Sequence, residues 1–181
     1  DNSSDGTGDV ARDIAARAGK AQRLTVVTPP PKPEGWSGKV AAMNAGFAES
    51  TAEYVLFTDA DIAHPADSLR RLVARAMDKK LALVSRMVKL QCVSPAEKLL
   101  IPAFVHFFAM LYPFRAINDP KSGIAGAAGG VMLATRAALI NIGGLARIKG
   151  ALIDDCALGR AIKRDRKSTR LNSSHEWISR M

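Results

Sequence analysis

The segment YVLFTDADIAHP, residues 54–65, decides the fold that this sequence predicts. Its first five residues, Tyr54 to Thr58, form an apolar run that is typical of a buried strand. The run ends directly in Asp59-Ala-Asp61, so two carboxylates follow the strand. In open α/β sheets, ligands bind beyond the carboxyl ends of the strands. The segment therefore predicts a strand that delivers polar groups to a binding site.

Strand-like and helical patterns alternate on both sides of this segment. Downstream, Pro65 to Lys79 predicts an amphipathic helix, and Leu81 to Val88 predicts another strand. Upstream, Leu24 to Thr28 predicts a strand, and Lys39 to Glu49 predicts a helix. This alternation favours an α/β sheet with helices on its faces.

Length and composition are those of one soluble domain. The chain has 181 residues, of which 48% are apolar and 24% charged. These values exclude wholesale disorder, a collagen-like chain and a disulfide scaffold. The formal net charge of +9 indicates long-range attraction to anions and names no partner by itself.

The pair Asp59 and Asp61 is the first candidate site. Two carboxylates at the end of a strand present hard oxygen ligands to Mg²⁺ or Mn²⁺, which in turn neutralises a diphosphate. The alternative is a solvated turn in which Asp61 caps the next helix. The position after a buried strand favours the metal.

The second candidate is the loop from Gly35 to Lys39, which leads into a helix carrying Asn44. Glycines before a helix N-terminus let backbone N–H groups approach an anion, and a lysine adds a point charge for phosphate. The spacing is not that of a P-loop. The alternative is a plain helix entry with a solvated Lys39.

The third candidate is Asp154-Asp155, at the start of the helical pattern that ends at Arg164. Acidic residues at a helix start commonly complement the helix dipole. A carboxylate here is also suited to act as general base toward an acceptor hydroxyl.

Five motifs then occur in order: DNSSDGT at 1–7, GWSGKVAAMNAG at 35–46, FTDADIAH at 57–64, GAAGGVMLATRAAL at 126–139 with GGL at 143–145, and DDCALG at 154–159. Their order and spacing resemble those of the family 2 inverting glycosyltransferases. Within that family they resemble the enzymes of hopanoid biosynthesis and, more distantly, the ceramide glucosyltransferases. The resemblance implies a GT-A-like fold, in which a Rossmann-like mixed sheet is flanked by helices.

The resemblance also implies roles for the donor-side residues. Asp1 resembles the second acidic residue of a nucleotide-binding pair, whose partner would precede this chain. Lys39, with Asn44 in the adjoining helix, resembles the residues at the nucleotide or diphosphate, and Trp36 is a candidate wall of the nucleotide pocket. Asp59 and Asp61 resemble the metal-binding Asp-x-Asp.

For catalysis, the resemblance makes Asp155 the base of the usual Glu-Asp pair, with Asp154 in place of the glutamate. This replacement leaves open which of the two carboxylates takes the proton. The implied reaction is a metal-dependent single displacement from a nucleotide-sugar donor, a UDP-sugar by preference, to a lipid-type acceptor such as a hopanoid.

Two other functions remain compatible with the residues alone. A nucleotidyltransferase would use a similar α/β sheet and metal. A non-catalytic basic module would bind a membrane surface, and it would not need Asp59, Asp61 or Asp155. The basic charge fits anionic phosphates and a membrane surface, with no sign of nucleic acid as a partner.

The apolar segment at 99–114 is too short to span a bilayer, since sixteen helical residues fall short of a hydrocarbon core of about 30 Å. It predicts either a buried helix or an interfacial segment that admits a lipid acceptor. With the resemblance, this places the full-length protein at the cytoplasmic face of the bacterial inner membrane.

The two ends of the chain suggest a fragment. We expect residues 1–164 to be a partial, N-terminally truncated GT-A catalytic domain that lacks its first strand and is inactive alone. Residues 165–181 have no apolar period or cap, and they resemble translated sequencing adaptor, so we expect a non-native tail.

Overall fold

A computed structural model describes residues 4–165 and 177–179 of the chain. Its strands are β1 (Tyr54–Thr58), β2 (Leu83–Ser85), β3 (Met87–Lys89), β4 (Val131–Thr135) and β5 (Trp177–Ser179). Its α-helices are α1 (Thr7–Arg17), α2 (Gly38–Glu49), α3 (Ser68–Lys79), α4 (Pro95–Leu111), α5 (Phe114–Asn118), α6 (Arg136–Asn141) and α7 (Asp154–Arg164). Two 3₁₀ helices cover Ala21–Arg23 and Leu145–Ile148.

The central sheet has the order β1-β4-β2. Both pairs are antiparallel, with Tyr54 opposite Thr135 in one and Leu83 opposite Ala134 in the other. Because β1 and β2 both run against β4, they run parallel to each other, and α3 is the helical connection between them. The carboxyl ends of β1 and β2 therefore meet the amino end of β4 at one edge, which confirms the expected α/β class.

Side chains of β4 alternate between two cores, as the period of two in a strand requires. Met132 and Ala134 face a cluster that includes Val40, Leu139 and Leu158, from α2, α6 and α7. Val131 and Leu133 face a cluster that includes Leu72 and Ala76 of α3. Helices thus cover both faces of the sheet, and they are held by apolar burial worth roughly 1.5–3 kcal/mol for each large side chain.

Local signals set the helix starts closest to the site. The side chain of Ser37 accepts a hydrogen bond from Val40 N at 3.3 Å and so caps α2. Helix α4 begins with a capping box, in which Ser94 Oγ accepts from Glu97 N and the Glu97 carboxylate accepts from Ser94 N.

Two predictions about strands are wrong in detail. Leu24 to Thr28 is not a strand and pairs with no strand among residues 4–165, because a β-branched run becomes a strand only where a neighbour supplies the ladder. Leu81 to Val88 is divided. Residues 83–85 pair with β4, and β3 leaves that sheet to pair in parallel with β5. The chain departs after Arg86, whose N–H donates to Val131 O at 3.0 Å.

The apolar segment expected at 99–114 is mostly helix α4. None of the seventeen residues of α4 is buried within the described chain, so the buried-helix alternative is wrong for this part of the protein. Within residues 4–165 and 177–179, no helix combines the length and apolar character needed to cross a membrane.

Candidate active site

The site lies at the edge where β1 and β2 end and β4 begins. Asp59, the residue after β1, donates its backbone N–H to Gly130 O at 3.1 Å. The antiparallel register thereby places the first carboxylate of the Asp-x-Asp beside Gly129 and Gly130. These glycines belong to the loop that leads into β4.

Lys39 links the first and third candidate sites. Its Nζ lies 3.1 Å from Asp59 Oδ1 and 3.8 Å from Asp154 Oδ2. The Lys39 side chain is 47% exposed and that of Asp154 only 17%. Although partial burial opposes it, the hydrogen bond to Asp59 and the charges of Asp154 and Asp155 raise the pKa of Lys39. The ammonium group is therefore held charged at the opening between the carboxylates.

Asp155 lies directly over Gly129. A methyl group on that glycine would lie 2.8 Å from Asp155 Oδ2, closer than real contacts allow. Asp155 Oδ1 accepts a hydrogen bond from Cys156 N at 2.7 Å. Burial raises the pKa of Asp155, and the charge of Asp154 adds to this, while N–H groups and Lys39 oppose it. A carboxylate with a raised pKa is a stronger base than an ordinary aspartate.

Asp154 has a different environment from its neighbour. It is the first residue of α7, where a negative charge complements the helix dipole. Its Oδ2 is buried without a hydrogen-bond partner among the described residues, and it lies 3.8 Å from Lys39 Nζ. The two adjacent carboxylates are thus distinguished, one by an ion pair and the other by burial over a glycine.

Two cavities lie on either side of Asp59 and Gly129. One, of about 420 Å³, lies between α2 and β1 and has Lys39 at one end. The other, of about 270 Å³, lies between α4 and the carboxylates. Asp59 and Gly129 line both cavities, whereas Asp61 and Asp155 line only the second. The two cavities therefore adjoin at Asp59 and Gly129.

The carboxylates of Asp59 and Asp61 suit a divalent ion only when a bound ligand completes its coordination. Asp59 and Asp61 line the same cavity and offer hard oxygens. Among the described residues, no group of three or more His, Cys, Asp or Glu side chains is arranged to hold a metal. One or two carboxylates completed by substrate phosphates is the usual protein share of an Mg²⁺ site, and that share fits these residues.

Comparison with known families shows which family the chain belongs to. The family model described as glycosyl transferase family 2 matches residues 1–143. The chain belongs to this family. No curated protein sequence matches the chain significantly.

A solved structure has the same fold as this glycosyltransferase chain. It is a mannosyltransferase from Pyrobaculum calidifontis in complex with GDP-mannose and Mn²⁺, with a TM-score of 0.68 at 20% identity. The match covers 98% of the glycosyltransferase chain and 45% of the mannosyltransferase. The chain thus spans less than half the length of that relative, and the likeness confirms the GT-A fold. A crystal structure described as a mycobacterial protein matches with a TM-score of 0.49 at 21% identity, over 99% of this chain and 54% of that one.

The remaining predicted donor residues lie elsewhere. Trp36 and Asn44 line a separate cavity of about 360 Å³, between α2 and the proline-rich loop. Trp36 also packs against the core. Asp1 lies outside the described residues.

Sequence reasoning missed how the turn after β1 is held. His64 Nε2 lies 2.8 Å from Thr58 Oγ1, and its Nδ1 lies 3.4 Å from Oγ of the buried Ser68. The imidazole therefore links the end of β1 to the start of α3 across the loop that carries both carboxylates. The only signal in the sequence is the nearness of His64 to Asp61, which does not indicate this contact.

Proposed function

We propose that this family 2 glycosyltransferase transfers a sugar, with inversion, from a nucleotide-sugar donor to a lipid-type acceptor, with a divalent metal as cofactor. The observation that carries the proposal is the meeting of Lys39, Asp59, Asp154 and Asp155 at one edge of the sheet. A cation beside two carboxylates, with a third carboxylate of raised pKa close by, offers the groups that such a transfer needs.

The donor side is formed by Lys39 and Asp59, with Asp61 in the adjoining cavity that Asp59 also lines. Lys39 contributes a fixed positive charge where negative charge develops on the leaving diphosphate. Asp59 and Asp61 would hold Mg²⁺ or Mn²⁺, and the ion would supply neutralisation of the diphosphate oxygens. The related mannosyltransferase binds GDP-mannose and Mn²⁺, so GDP-mannose joins the UDP-sugars as a donor to test.

Asp155 is the base in this mechanism. Its carboxylate takes the proton of the acceptor hydroxyl while the hydroxyl oxygen bonds to the anomeric carbon. The bond from that carbon to the diphosphate breaks in the same step, and the nucleoside diphosphate leaves with the electron pair. A single displacement inverts the anomeric carbon. Asp154 is less suited to this role because it is paired with Lys39 at 3.8 Å.

The acceptor side is the cavity between α4 and the carboxylates. Its α4 wall consists of Phe104, Val105 and Phe108, and its opposite wall includes Asp155. An apolar wall facing a base suits an acceptor whose hydroxyl is attached to an apolar body, such as a hopanoid or another lipid. We therefore propose a lipid acceptor and, for the full-length protein, action at the cytoplasmic face of the inner membrane.

Family membership favours this function over the two alternatives. A family 2 chain with three converging carboxylates is not expected to be a nucleotidyltransferase. A non-catalytic basic module would give no reason for Asp155 to be buried over Gly129.

The test is donor binding and turnover by the complete protein. UDP- and GDP-sugars are titrated calorimetrically with Mn²⁺, with Mg²⁺ and with EDTA, and transfer to lipid acceptors is followed by chromatography. We expect at least one nucleotide sugar to bind in the presence of metal, and EDTA to weaken its binding at least about tenfold. If no nucleotide sugar binds with either metal, the proposal is wrong.

A further inference from the structure

Helix α4 carries an apolar face that nothing in the described chain covers. Six large apolar side chains on this helix are more than half exposed: Leu99 (74%), Leu100 (64%), Phe104 (61%), Phe107 (57%), Met110 (64%) and Leu111 (56%). Large apolar side chains clustered in this way on a soluble surface usually mark a contact site.

The six side chains form one continuous face. At about 100° per residue, their positions fall within an arc of about 140° around the helix axis. Val105 and Phe108, outside this arc, are partly buried and line the cavity above Asp155, which Phe104 at the edge of the arc also lines. The helix therefore packs on the domain along one side only.

Basic residues outnumber acidic ones around this helix. Between Lys89 and Lys121 the exposed charged residues are two acidic ones and four basic ones: Glu97 and Asp119, and Lys89, Lys98, Arg115 and Lys121. Glu97, at the helix start, is engaged in the capping box, and Asp119 accepts a hydrogen bond from Lys121 N at 2.9 Å. An apolar face in a segment of net positive charge complements an anionic lipid surface.

We propose that the α4 face, defined by the six residues above, lies in the interface of a bilayer containing anionic lipid. Seventeen residues at 1.5 Å each give a helix of about 26 Å, which lies along the surface rather than across the bilayer. The inference deepens the proposed function and rests on it in one respect. With α4 in the bilayer, the cavity beneath it receives a lipid acceptor without that acceptor leaving the membrane.

The test measures vesicle binding of the chain without donor or acceptor. Binding to sedimented vesicles of phosphatidylcholine, with and without an equal share of phosphatidylglycerol, is compared for the parent and two double variants. Leu100→Ser/Phe107→Ser alters the centre of the α4 face. Leu69→Ser/Met77→Ser alters two similarly exposed residues of α3, which are 54% and 62% exposed, and serves as the matched control. Circular dichroism verifies that both variants are folded.

We expect binding to the phosphatidylglycerol vesicles, weakened by salt because the attraction is partly electrostatic. The α4 variant should lower the partition coefficient at least about tenfold, since each buried apolar side chain contributes about 1.5–3 kcal/mol, and the α3 variant should lower it less than about twofold. Equal binding by parent and α4 variant, or no binding by the parent, would overturn the inference.

A second measurement, amide hydrogen exchange, tests the alternative that another protein segment covers the α4 face. If amide exchange of α4 in the complete protein is as slow without vesicles as with them, another segment covers the face and the proposal is wrong. Donor binding is measured on the same samples. If the parent binds donor but not vesicles, only the membrane inference is wrong. If it does not bind donor, the proposed function is wrong.

Discussion

Replacing Gly129 by alanine should displace the Asp155 carboxylate and slow transfer without unfolding the domain. The new methyl group would lie 2.8 Å from Asp155 Oδ2 and 3.2 Å from its Cβ and Cγ, whereas ordinary contact begins at 3.4 Å, so the side chain must shift and its Oδ2 must move by about 0.6 Å. Misplacing a reacting group by about 1 Å costs roughly 100-fold in rate. We therefore expect kcat to fall by about tenfold to 100-fold, with little change in donor affinity.

Two further glycines provide the controls. A methyl group on Gly159 would lie 3.0 Å from the carbonyl carbon of Gly126. This is a contact with backbone that cannot rotate away, and Gly159→Ala should lower the free energy of unfolding by about 1–3 kcal/mol. A methyl group on Gly123 would meet nothing within 4 Å, so Gly123→Ala should leave both rate and stability unchanged.

The assay combines steady-state transfer by the complete protein, at saturating donor and metal, with urea unfolding of each variant. Gly129→Ala should lose rate and keep its unfolding midpoint, whereas Gly159→Ala should lose stability. A Gly129→Ala protein with kcat within twofold of the parent would refute the placing of the base over this glycine.

Three other outcomes follow from the same geometry. Lys39→Met should weaken nucleotide-sugar binding about tenfold or more, because a charged hydrogen bond contributes about 1.5–3 kcal/mol, and calorimetry with Mn²⁺ measures it. Asp155→Asn should retain donor binding and slow transfer by roughly 100-fold or more, and unchanged transfer would exclude Asp155 as the base. The same variant should raise the free energy of unfolding near neutral pH, because burial disfavours the ionised carboxylate. Because the pKa of Asp155 is raised, kcat/KM should fall, as the pH drops, at a higher pH than for an ordinary aspartate. Asp154→Asn should move that fall to lower pH, as a pH profile of both proteins would show.

Local patterns predicted the elements next to the site well. Tyr54 to Thr58 is a strand with the expected bounds, and the helix expected from Lys39 to Glu49 begins one residue earlier. Both are determined by short-range signals, which are an apolar run ended by carboxylates and a serine that caps the helix. The α/β class follows from the alternation of such elements.

The local sequence patterns do not predict contacts between distant segments. Nothing in the sequence indicates that Lys39 lies between Asp59 and Asp154, because that depends on β4 inserting between β1 and β2. The failure at residues 24–28 has the same origin, since a strand requires a partner as well as propensity. The roles of Trp36, Asn44 and Asp1 stay predictions.

The insertion of β4 between the two earlier strands also determines when the site can exist. Helices α2 and α3 contain local contacts and form from short stretches of chain, but Thr58 pairs with Val131, far downstream in the sequence. Pairings of this kind form late and slowly, because a long loop must close first. Asp59 therefore gains its neighbours Gly129, Asp154 and Asp155 only when the chain has been synthesised past them. A growing or partly folded chain has no assembled site, so the proposed donor binding would report completed folding of this domain.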